Sequence, residues 1–161
     1  MLNPMLIIMV GLPGSGKTTF ASTYGELLNA KVHSSDDVRQ RLYGDSSIQG
    51  DPKKVFKLLQ KETLDTLNSG VSAIYDATNL TRWERKEILS IRPPKTKALA
   101  VVMDTPFKLC LERNNTRERV VPEEVMIRLQ RKLEIPKITE GFVDVLFIDP
   151  EGKMRKEAQN L

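Results

Sequence analysis

Short apolar runs alternate along the chain with segments in which apolar residues recur every three or four positions. The apolar runs predict five strands, at residues 5–10, 31–34, 71–76, 97–104 and 143–149. The periodic segments, with their prolines and capping residues, predict helices at about 17–28, 36–43, 52–70, 81–91, 105–115 and 122–136. Regular alternation of this kind predicts an α/β fold, a five-stranded parallel sheet with helices on both faces.

Ligands of such sheets bind in the loops that follow the carboxyl ends of the strands. A functional site is therefore expected in the loops at 11–18, 34–39, 76–80 and 104–106, and beyond residue 149.

Composition adds limits on the class of protein. The 161 residues are expected to form a single domain, with a polar tail at 150–161 that frays. Cys110 is the single cysteine, so no internal disulfide can form and a cytoplasmic location is expected. The apolar run at 5–10 is too short to cross a membrane, and no membrane partner is expected. The net charge of +4 is compatible with a polyanionic partner.

The first loop carries the most specific motif. Residues 11–18 read GLPGSGKT, directly after the first strand, and match the Walker A pattern G-x-x-x-x-G-K-[ST]. The glycines let backbone amides turn inward and cradle phosphates, while Lys17 reaches the β- and γ-phosphates and Thr18 ligates Mg²⁺. ATP and Mg²⁺ are the predicted cofactors. The predicted contacts in this loop come from Gly11, Gly14, Ser15, Gly16, Lys17, Thr18 and Thr19.

Two motifs of other nucleotide-binding classes are missing from the chain. No Asn-Lys-x-Asp stretch is present to read guanine, and no Leu-Ser-Gly-Gly-Gln of transport ATPases occurs. A small phosphotransferase remains, which needs a base for the acceptor hydroxyl and positive charge for the transferring phosphoryl group.

Candidates for the base and its partners follow the second and third strands. In SSDDVRQ at 34–40, a serine could cap the helix while the aspartates favour its positive end, or Asp36 could act on a substrate. Asp76, at the end of the third strand, could hold Mg²⁺ through water or hold an acceptor-site arginine. The alternative for Asp76 is an Asx turn before the helix that Thr81 caps.

A third cluster, RNNTRER at 113–119, carries three arginines between two predicted helices. Arg113 and Arg117 would share a helix face if the helix continued through them. A basic segment beside an ATP loop is typical of a kinase lid, here predicted at about 113–122. A solvated basic face is the alternative.

These motifs together resemble the kinase domain of bacteriophage-type 5′-hydroxyl polynucleotide kinases, which have a three-layer P-loop kinase fold. The resemblance covers about residues 5–149 and is carried by GLPGSGKT, SDDVRQ, DATNL and ERNNTR followed by VPEEV. It implies that Asp36 is the general base and that Arg39 contacts an acceptor phosphate or supports the base. It also implies that Asp76 belongs to the acceptor site, with Arg39 as its link, that Arg117 is a lid arginine on the donor phosphates, and that Arg113 lies near the nucleotide.

The favoured interpretation is an ATP-dependent kinase that phosphorylates the 5′-OH end of DNA or RNA, with Lys17, Asp36 and Arg117 as catalytic residues. Two alternatives stay open: a kinase of a small hydroxylated metabolite or nucleoside, and an ATP-binding regulatory module with slow hydrolysis. Tyr43, Tyr75 and Trp83 are the plausible base-stacking platforms, although Trp83 is expected to pack against its own helix. Cys110 is expected to be packed rather than nucleophilic.

Overall fold

A computed structural model describes residues 3–161 of the protein, and at its centre is a parallel sheet. Its strands are β1 (Met5–Val10), β2 (Lys31–Ser34), β3 (Ala73–Asp76), β4 (Lys97–Met103) and β5 (Asp144–Ile148). In space they run β2-β3-β1-β4-β5, so the strand that leads into the Walker A loop is central. In the parallel register, Ile8 of β1 lies opposite Tyr75 of β3 and Ala100 of β4. The predicted five-stranded parallel sheet is confirmed.

A sixth strand extends this sheet at one edge. β6 (Met154–Arg155) pairs antiparallel with β5 after a turn that Gly152 makes with φ +82°. The tail does not fray as expected, because the backbone N–H groups of Gln159 and Asn160 donate to the fully buried Asp104 carboxylate, at 2.7 and 2.9 Å. A buried carboxylate needs such donors, which residues 150–161 taken alone do not reveal.

The helices lie close to their predicted positions. They are α1 (Lys17–Leu27), α2 (Ser35–Tyr43), α3 (Pro52–Asn68), α4 (Arg82–Ile91), α5 (Phe107–Asn115) and α6 (Glu123–Lys132), with a 3₁₀ turn at Ile138–Glu140. Asp51 caps α3 by accepting from the Lys53 N–H, and Thr81 and Glu84 cap α4 reciprocally. These caps satisfy N–H groups that have no partner inside the helix.

Side chains of β1 alternate between the two faces of the sheet. Leu6, Ile8 and Val10 pack in a cluster that includes residues of α2, α3 and α4, whereas Ile7 and Met9 pack on the other face with residues of α1. A separate cluster joins the Walker A loop to α5 and α6, formed by Leu12, Leu80, Cys110 and Met126. The result is the three-layer α/β fold of P-loop kinases.

Three local predictions are wrong. β3 begins at Ala73 rather than residue 71, since Val71 is 39% exposed. Thr105 does not cap α5, because its hydroxyl donates to the Ser15 carbonyl at 2.9 Å and the helix begins only at Phe107. Trp83 does not pack on its helix, since it is 67% exposed at the start of α4.

The end of α5 corrects one further expectation. α5 ends at Asn115, so Arg113 and Arg117 do not share a helix face.

Across residues 3–161, the helices are too short or too polar to span a membrane.

Candidate active site

The Walker A loop at residues 11–18, called the P-loop below, is shaped by two glycines with left-handed backbone. Gly14 has φ +80° and Gly16 has φ +100°. A Cβ on Gly14 would lie 2.5 Å from the Cys110 carbonyl oxygen and 3.2 Å from the Asn114 nitrogen, so the loop sits directly on α5. Any other residue at Gly14 would strain the backbone and push the loop away from α5.

Backbone donors at the start of α1 are free to hold an anion. Gly16 is the N-cap and has no side-chain cap, and in the described part of the chain no protein group accepts from the N–H of Lys17 or Thr18. The positive end of the helix dipole lies at the same point. Ser15 Oγ is also buried without a hydrogen-bond partner. Among the predicted contacts, Thr19 lies on the exposed part of the first turn of α1. The P-loop therefore fits the phosphates of a nucleotide.

Lys17 folds back over the P-loop. Its Nζ donates to the Leu12 carbonyl oxygen at 2.9 Å. Burial lowers the pKa of Lys17, while the nearby Asp76 carboxylate acts in the opposite direction. A partly desolvated cation in this position interacts strongly with phosphate oxygens.

Asp76 lies beside Thr18 at the carboxyl end of β3. The Thr18 hydroxyl donates to Asp76 Oδ2 at 3.1 Å, and Asp76 is only 4% exposed. Burial raises the pKa of Asp76, and the Lys17 charge and the Thr18 hydrogen bond oppose this effect. A hydroxyl and a carboxylate are hard oxygen ligands, which suit Mg²⁺ held partly through water. The expected link from Asp76 to Arg39 is not formed, because Arg39 bonds to Asp36 instead.

The loop between Asp76 and α4 is tied to the P-loop strand. The Gly11 N–H donates to the Thr78 carbonyl oxygen at 3.1 Å, and Asn79 Nδ2 donates to the Met9 carbonyl oxygen at 2.7 Å. Fully buried Arg85 donates to the Asn79 carbonyl oxygen at 3.0 Å and pairs with Glu140 through two bonds of 2.9 Å. Sequence reasoning missed Arg85, although a charged residue on the apolar face of α4 was the available signal.

Ser34, the last residue of β2, caps α2 and thereby sets the direction of Asp36. Its Oγ accepts from the backbone N–H of Asp36 at 3.2 Å and of Asp37 at 3.5 Å. The cap is thus Ser34 and not Ser35. The SSDDVRQ segment at 34–40 thus supplies a helix cap, Ser34, and also a part-exposed carboxylate, since the Asp36 side chain is 38% exposed.

Three arginines surround the Asp36 carboxylate. Asp36 Oδ1 accepts from Arg39 Nη1 at 3.1 Å and from Arg119 Nη1 at 2.6 Å. Arg117 Nη2 lies 3.8 Å from Asp36 Oδ2. Arg39 is 8% exposed, and its Nε is buried without a hydrogen-bond partner. The structure therefore brings the predicted Asp36, Arg39 and Arg117 together, and adds Arg119, to which the sequence alone assigned no role.

Residues 116–122, called the arginine loop below, connect α5 to α6 and carry Arg117 and Arg119. Its base is closed by Asn114, which is fully buried. Asn114 Nδ2 donates to the Val121 carbonyl oxygen at 2.7 Å, and the Val121 N–H donates to Asn114 Oδ1 at 3.0 Å. Arg113, in the last turn of α5, lies beside the P-loop, with Nη1 3.8 Å from where a Cβ on Gly16 would be. Arg113 of α5 thus lies beside the P-loop, and Arg117 of the arginine loop is close enough for its charge to act on the pKa of Lys17.

Two residues of reactive types, Cys110 and His33, are buried. Cys110 is buried, and burial raises the pKa of its thiol to about 11, so it is packed as predicted. His33 is buried in β2, with Nε2 2.8 Å from Thr66 Oγ1, and burial lowers its pKa.

Comparison with known proteins places the chain in a family. Residues 6–136 match the AAA domain family, and the chain belongs to it. It is 28% identical to the transcription factor bHLH140 of Arabidopsis thaliana over 89% of this chain and 16% of that protein. It is 27% identical to the L-seryl-tRNA(Sec) kinase of Methanococcus maripaludis over 82% of this chain and 53% of that enzyme. The chain thus spans about half or less of these two relatives.

Among solved structures, the Pnkp1/Rnl/Hen1 RNA repair complex contains a chain with the same fold. The TM-score is 0.72 at 23% identity, with 83% of this chain and 45% of that chain covered. The P-loop, the neighbouring carboxylates and the surrounding arginines on this fold are those of a P-loop kinase, a class of phosphotransferase.

Proposed function

We propose that the protein is an ATP-dependent polynucleotide kinase, which transfers the γ-phosphate of ATP to the 5′-OH of DNA or RNA. The observation that carries the proposal is the placement of Asp36. Its carboxylate is part-exposed, is held by arginines, and lies close enough to the P-loop for its charge to act on the pKa of Lys17. A general base for an acceptor hydroxyl needs both access to substrate and proximity to the donor phosphate.

The proposed transfer assigns one task to each side chain. The P-loop N–H groups and Lys17 hold the β- and γ-phosphates, with Arg113 beside the nucleotide. Thr18 and Asp76 hold Mg²⁺, which neutralises phosphate charge when bound. The acceptor oxygen bonds to the γ-phosphorus, the bond from that phosphorus to the bridging oxygen breaks, and ADP leaves. Asp36 takes the proton of the hydroxyl.

Arg117 is the proposed lid arginine. At 3.8 Å from Asp36 Oδ2 it makes a long ionic contact without a hydrogen bond, and its side chain is 35% exposed. It is therefore free to turn towards a transferring phosphoryl group, where a guanidinium stabilises the charge that develops in the transition state.

Three observations support a nucleic-acid acceptor. The motifs that resemble polynucleotide kinases surround the site, and the names of two similar proteins refer to tRNA and to RNA repair. Trp83 is 67% exposed in the first turn of α4, which follows the Asp76 loop, and an exposed indole there is available to stack on a base. Tyr75 is buried, and Tyr43 is partly buried against the core with its hydroxyl accepting from the Asp51 N–H, so Trp83 is the most exposed of the three candidate platforms.

The test is transfer of label from γ-labelled ATP to a short oligonucleotide with a 5′-OH, with and without Mg²⁺. The same oligonucleotide with a 5′-phosphate is the control. We expect label on the 5′-OH end alone, and binding that weakens steeply with salt because counterions are released. ATP binding without transfer to any DNA or RNA end would overturn the polynucleotide acceptor and favour a small hydroxylated metabolite, to be found by a metabolite screen.

Trp83→Ala sharpens this test. Loss of a stacked base weakens oligonucleotide binding by about 1–3 kcal/mol, so the KM for the oligonucleotide should rise while the KM for ATP stays constant. Trp83→Phe is the matched control, since it keeps an aromatic face. An unchanged KM for the oligonucleotide in Trp83→Ala would remove Trp83 from the acceptor site.

A further inference from the structure

The two oxygens of the Asp36 carboxylate have different surroundings. Oδ1 accepts hydrogen bonds from Arg39 Nη1 and Arg119 Nη1. Oδ2 accepts no hydrogen bond from any group within residues 3–161, and its contact with Arg117 is 3.8 Å long. One oxygen is therefore held and the other is available to a substrate.

The two arginines of the arginine loop also differ. Arg119 makes the shortest contact to Asp36, at 2.6 Å, and its side chain is 18% exposed. Arg117 makes the long contact and is 35% exposed. A charge-assisted bond at the distance of Arg119 is among the stronger interactions of a protein, whereas an ion pair at the distance of Arg117 is weak.

Arg119 and Arg39 approach Oδ1 from separate parts of the chain. Arg39 lies one turn along α2 from Asp36, while Arg119 is 83 residues distant in sequence. The pKa of Arg39 is lowered chiefly by burial and then by the charge of Arg119, as expected for two guanidiniums on one oxygen. Side chains from α2 and the arginine loop thus fix the same atom.

We propose that Arg119 is a positioning residue: it holds Asp36 Oδ1 so that Oδ2 points at the acceptor hydroxyl, and Arg117 is left to serve the donor phosphates. This rests on the proposed role of Asp36 as base. The arginine loop then serves both the acceptor and the donor, because Arg119 fixes the base and Arg117 reaches the donor phosphates.

The kinetic test compares Arg119→Gln, Arg119→Lys and Arg117→Gln with the wild type. In Arg119→Gln the base loses its anchor, so kcat should fall about ten- to hundredfold, the scale of a misplaced catalytic group. The KM for ATP should stay within about twofold. Arg119→Lys should recover part of the loss, since an ammonium can donate one bond to Oδ1. Arg117→Gln should instead raise the KM for ATP as well.

Arg128→Gln is the matched control, because Arg128 is an exposed arginine on α6 that has no ion pair in the described structure. A kcat for Arg119→Gln equal to that of Arg128→Gln would overturn the proposal. So would a rise in the KM for ATP as large as that of Arg117→Gln, because Arg119 would then be a donor-phosphate ligand.

A measurement without substrate separates this proposal from the proposed function. The midpoint of urea unfolding is measured for Arg119→Gln in the wild-type and Asp36→Asn backgrounds. If Arg119 holds Asp36, the substitution lowers the midpoint in the first background and has a smaller effect in the second. Equal effects would overturn the contact. Wild-type protein that labels no oligonucleotide would overturn the polynucleotide acceptor, and the unfolding result would still decide for or against Arg119.

Discussion

The P-loop and the Asp36 cluster lie on the same edge of the sheet but are held in different ways. The P-loop is held by backbone contacts, which depend on glycines at positive φ and on the absence of a Cβ at Gly14. Asp36 is held by the side chains of Arg39 and Arg119, one of them from a loop 83 residues away.

This difference indicates which part of the site has fixed geometry, the P-loop, and which part can vary, the Asp36 cluster. A backbone cradle recognises phosphate groups and has little capacity to discriminate between acceptors. Long arginine side chains can change partner without a change of fold, so under the proposed function the Asp36 side is where the protein would adapt to its acceptor. Substitutions on the two sides should accordingly have different kinetic signatures.

Lys17→Ala should have the largest effect. It removes a phosphate contact that is worth about 10²–10³ in rate at a preorganised site. It also lowers ATP affinity, and this second loss multiplies the first. We expect turnover to fall below detection in an assay with γ-labelled ATP. Lys108→Ala, an exposed lysine on α5, is the control. Normal turnover in Lys17→Ala would show that the P-loop is not the donor site.

Asp36→Asn should remove transfer but leave ATP binding close to normal. A positioned general base contributes about 10²–10⁴ in rate, and Asp36 does not belong to the P-loop. The measurements are single-turnover transfer and ATP affinity by calorimetry. Asp37→Asn is a close control, since Asp37 is the adjacent carboxylate and makes no ion pair within the described residues. Transfer retained in Asp36→Asn, or lost equally in Asp37→Asn, would contradict the assignment of the base.

Arg117→Ala should reduce the rate on the order of a hundredfold, as for other arginines that neutralise a transferring phosphoryl group. Its smaller effect follows from its exposure and its single long contact to Asp36. The measurement is kcat in steady-state kinetics for Arg117→Ala, with Arg128→Ala as the control. A near-normal rate would place Arg117 on a solvated surface.

Asp76→Asn should change stability and activity in opposite directions. Burial raises the pKa of Asp76, so the folded protein binds the Asp76 proton more tightly than the unfolded chain does. Its ionisation therefore costs stability, increasingly so as the pH rises from the ordinary aspartate pKa through the raised value. At pH 7 the variant should have a higher Tm than the wild type, while it loses Mg²⁺-dependent transfer.

The control for this change is Asp65→Asn, at an exposed surface ion pair with Lys61. That substitution should leave Tm nearly unchanged, since such pairs contribute little. The gain of Asp76→Asn should disappear as the pH falls below the ordinary aspartate pKa. A lower Tm for Asp76→Asn at pH 7 would show that the contact with Thr18 outweighs the cost of burial.

The P-loop and its flanking elements could be predicted because their signals are local. The P-loop motif, the strand before it and the helix after it occupy 23 consecutive residues, from Met5 to Leu27, and each element has its own pattern. Asp36 could be located for a similar reason, since it follows a strand directly and the carboxyl ends of parallel strands meet at one edge.

The partners of these residues could not be predicted. Arg119 stands in a non-helical loop, and nothing in its neighbours indicates which carboxylate it meets. Asp104 and the tail pair across 55 residues through backbone N–H groups, which carry no sequence signal. Arg85 and Glu140 likewise meet only after α4 and the 3₁₀ turn have packed. Long-range polar pairing depends on the assembled fold, whereas periodicity depends on single elements.

The two hydrogen bonds between Asn114 and Val121 have a consequence for the timing of the reaction cycle. They close the base of a short loop, so Arg117, which is part-exposed, can change partner by rotating its side chain while Arg119 keeps its bond to Asp36. Rotations of exposed side chains take picoseconds to nanoseconds. A hinged lid domain opens over microseconds to milliseconds and often limits turnover. For the proposed kinase activity, release of ADP should not wait for such an opening, and the slowest event of the cycle should lie in chemistry or in departure of the phosphorylated product.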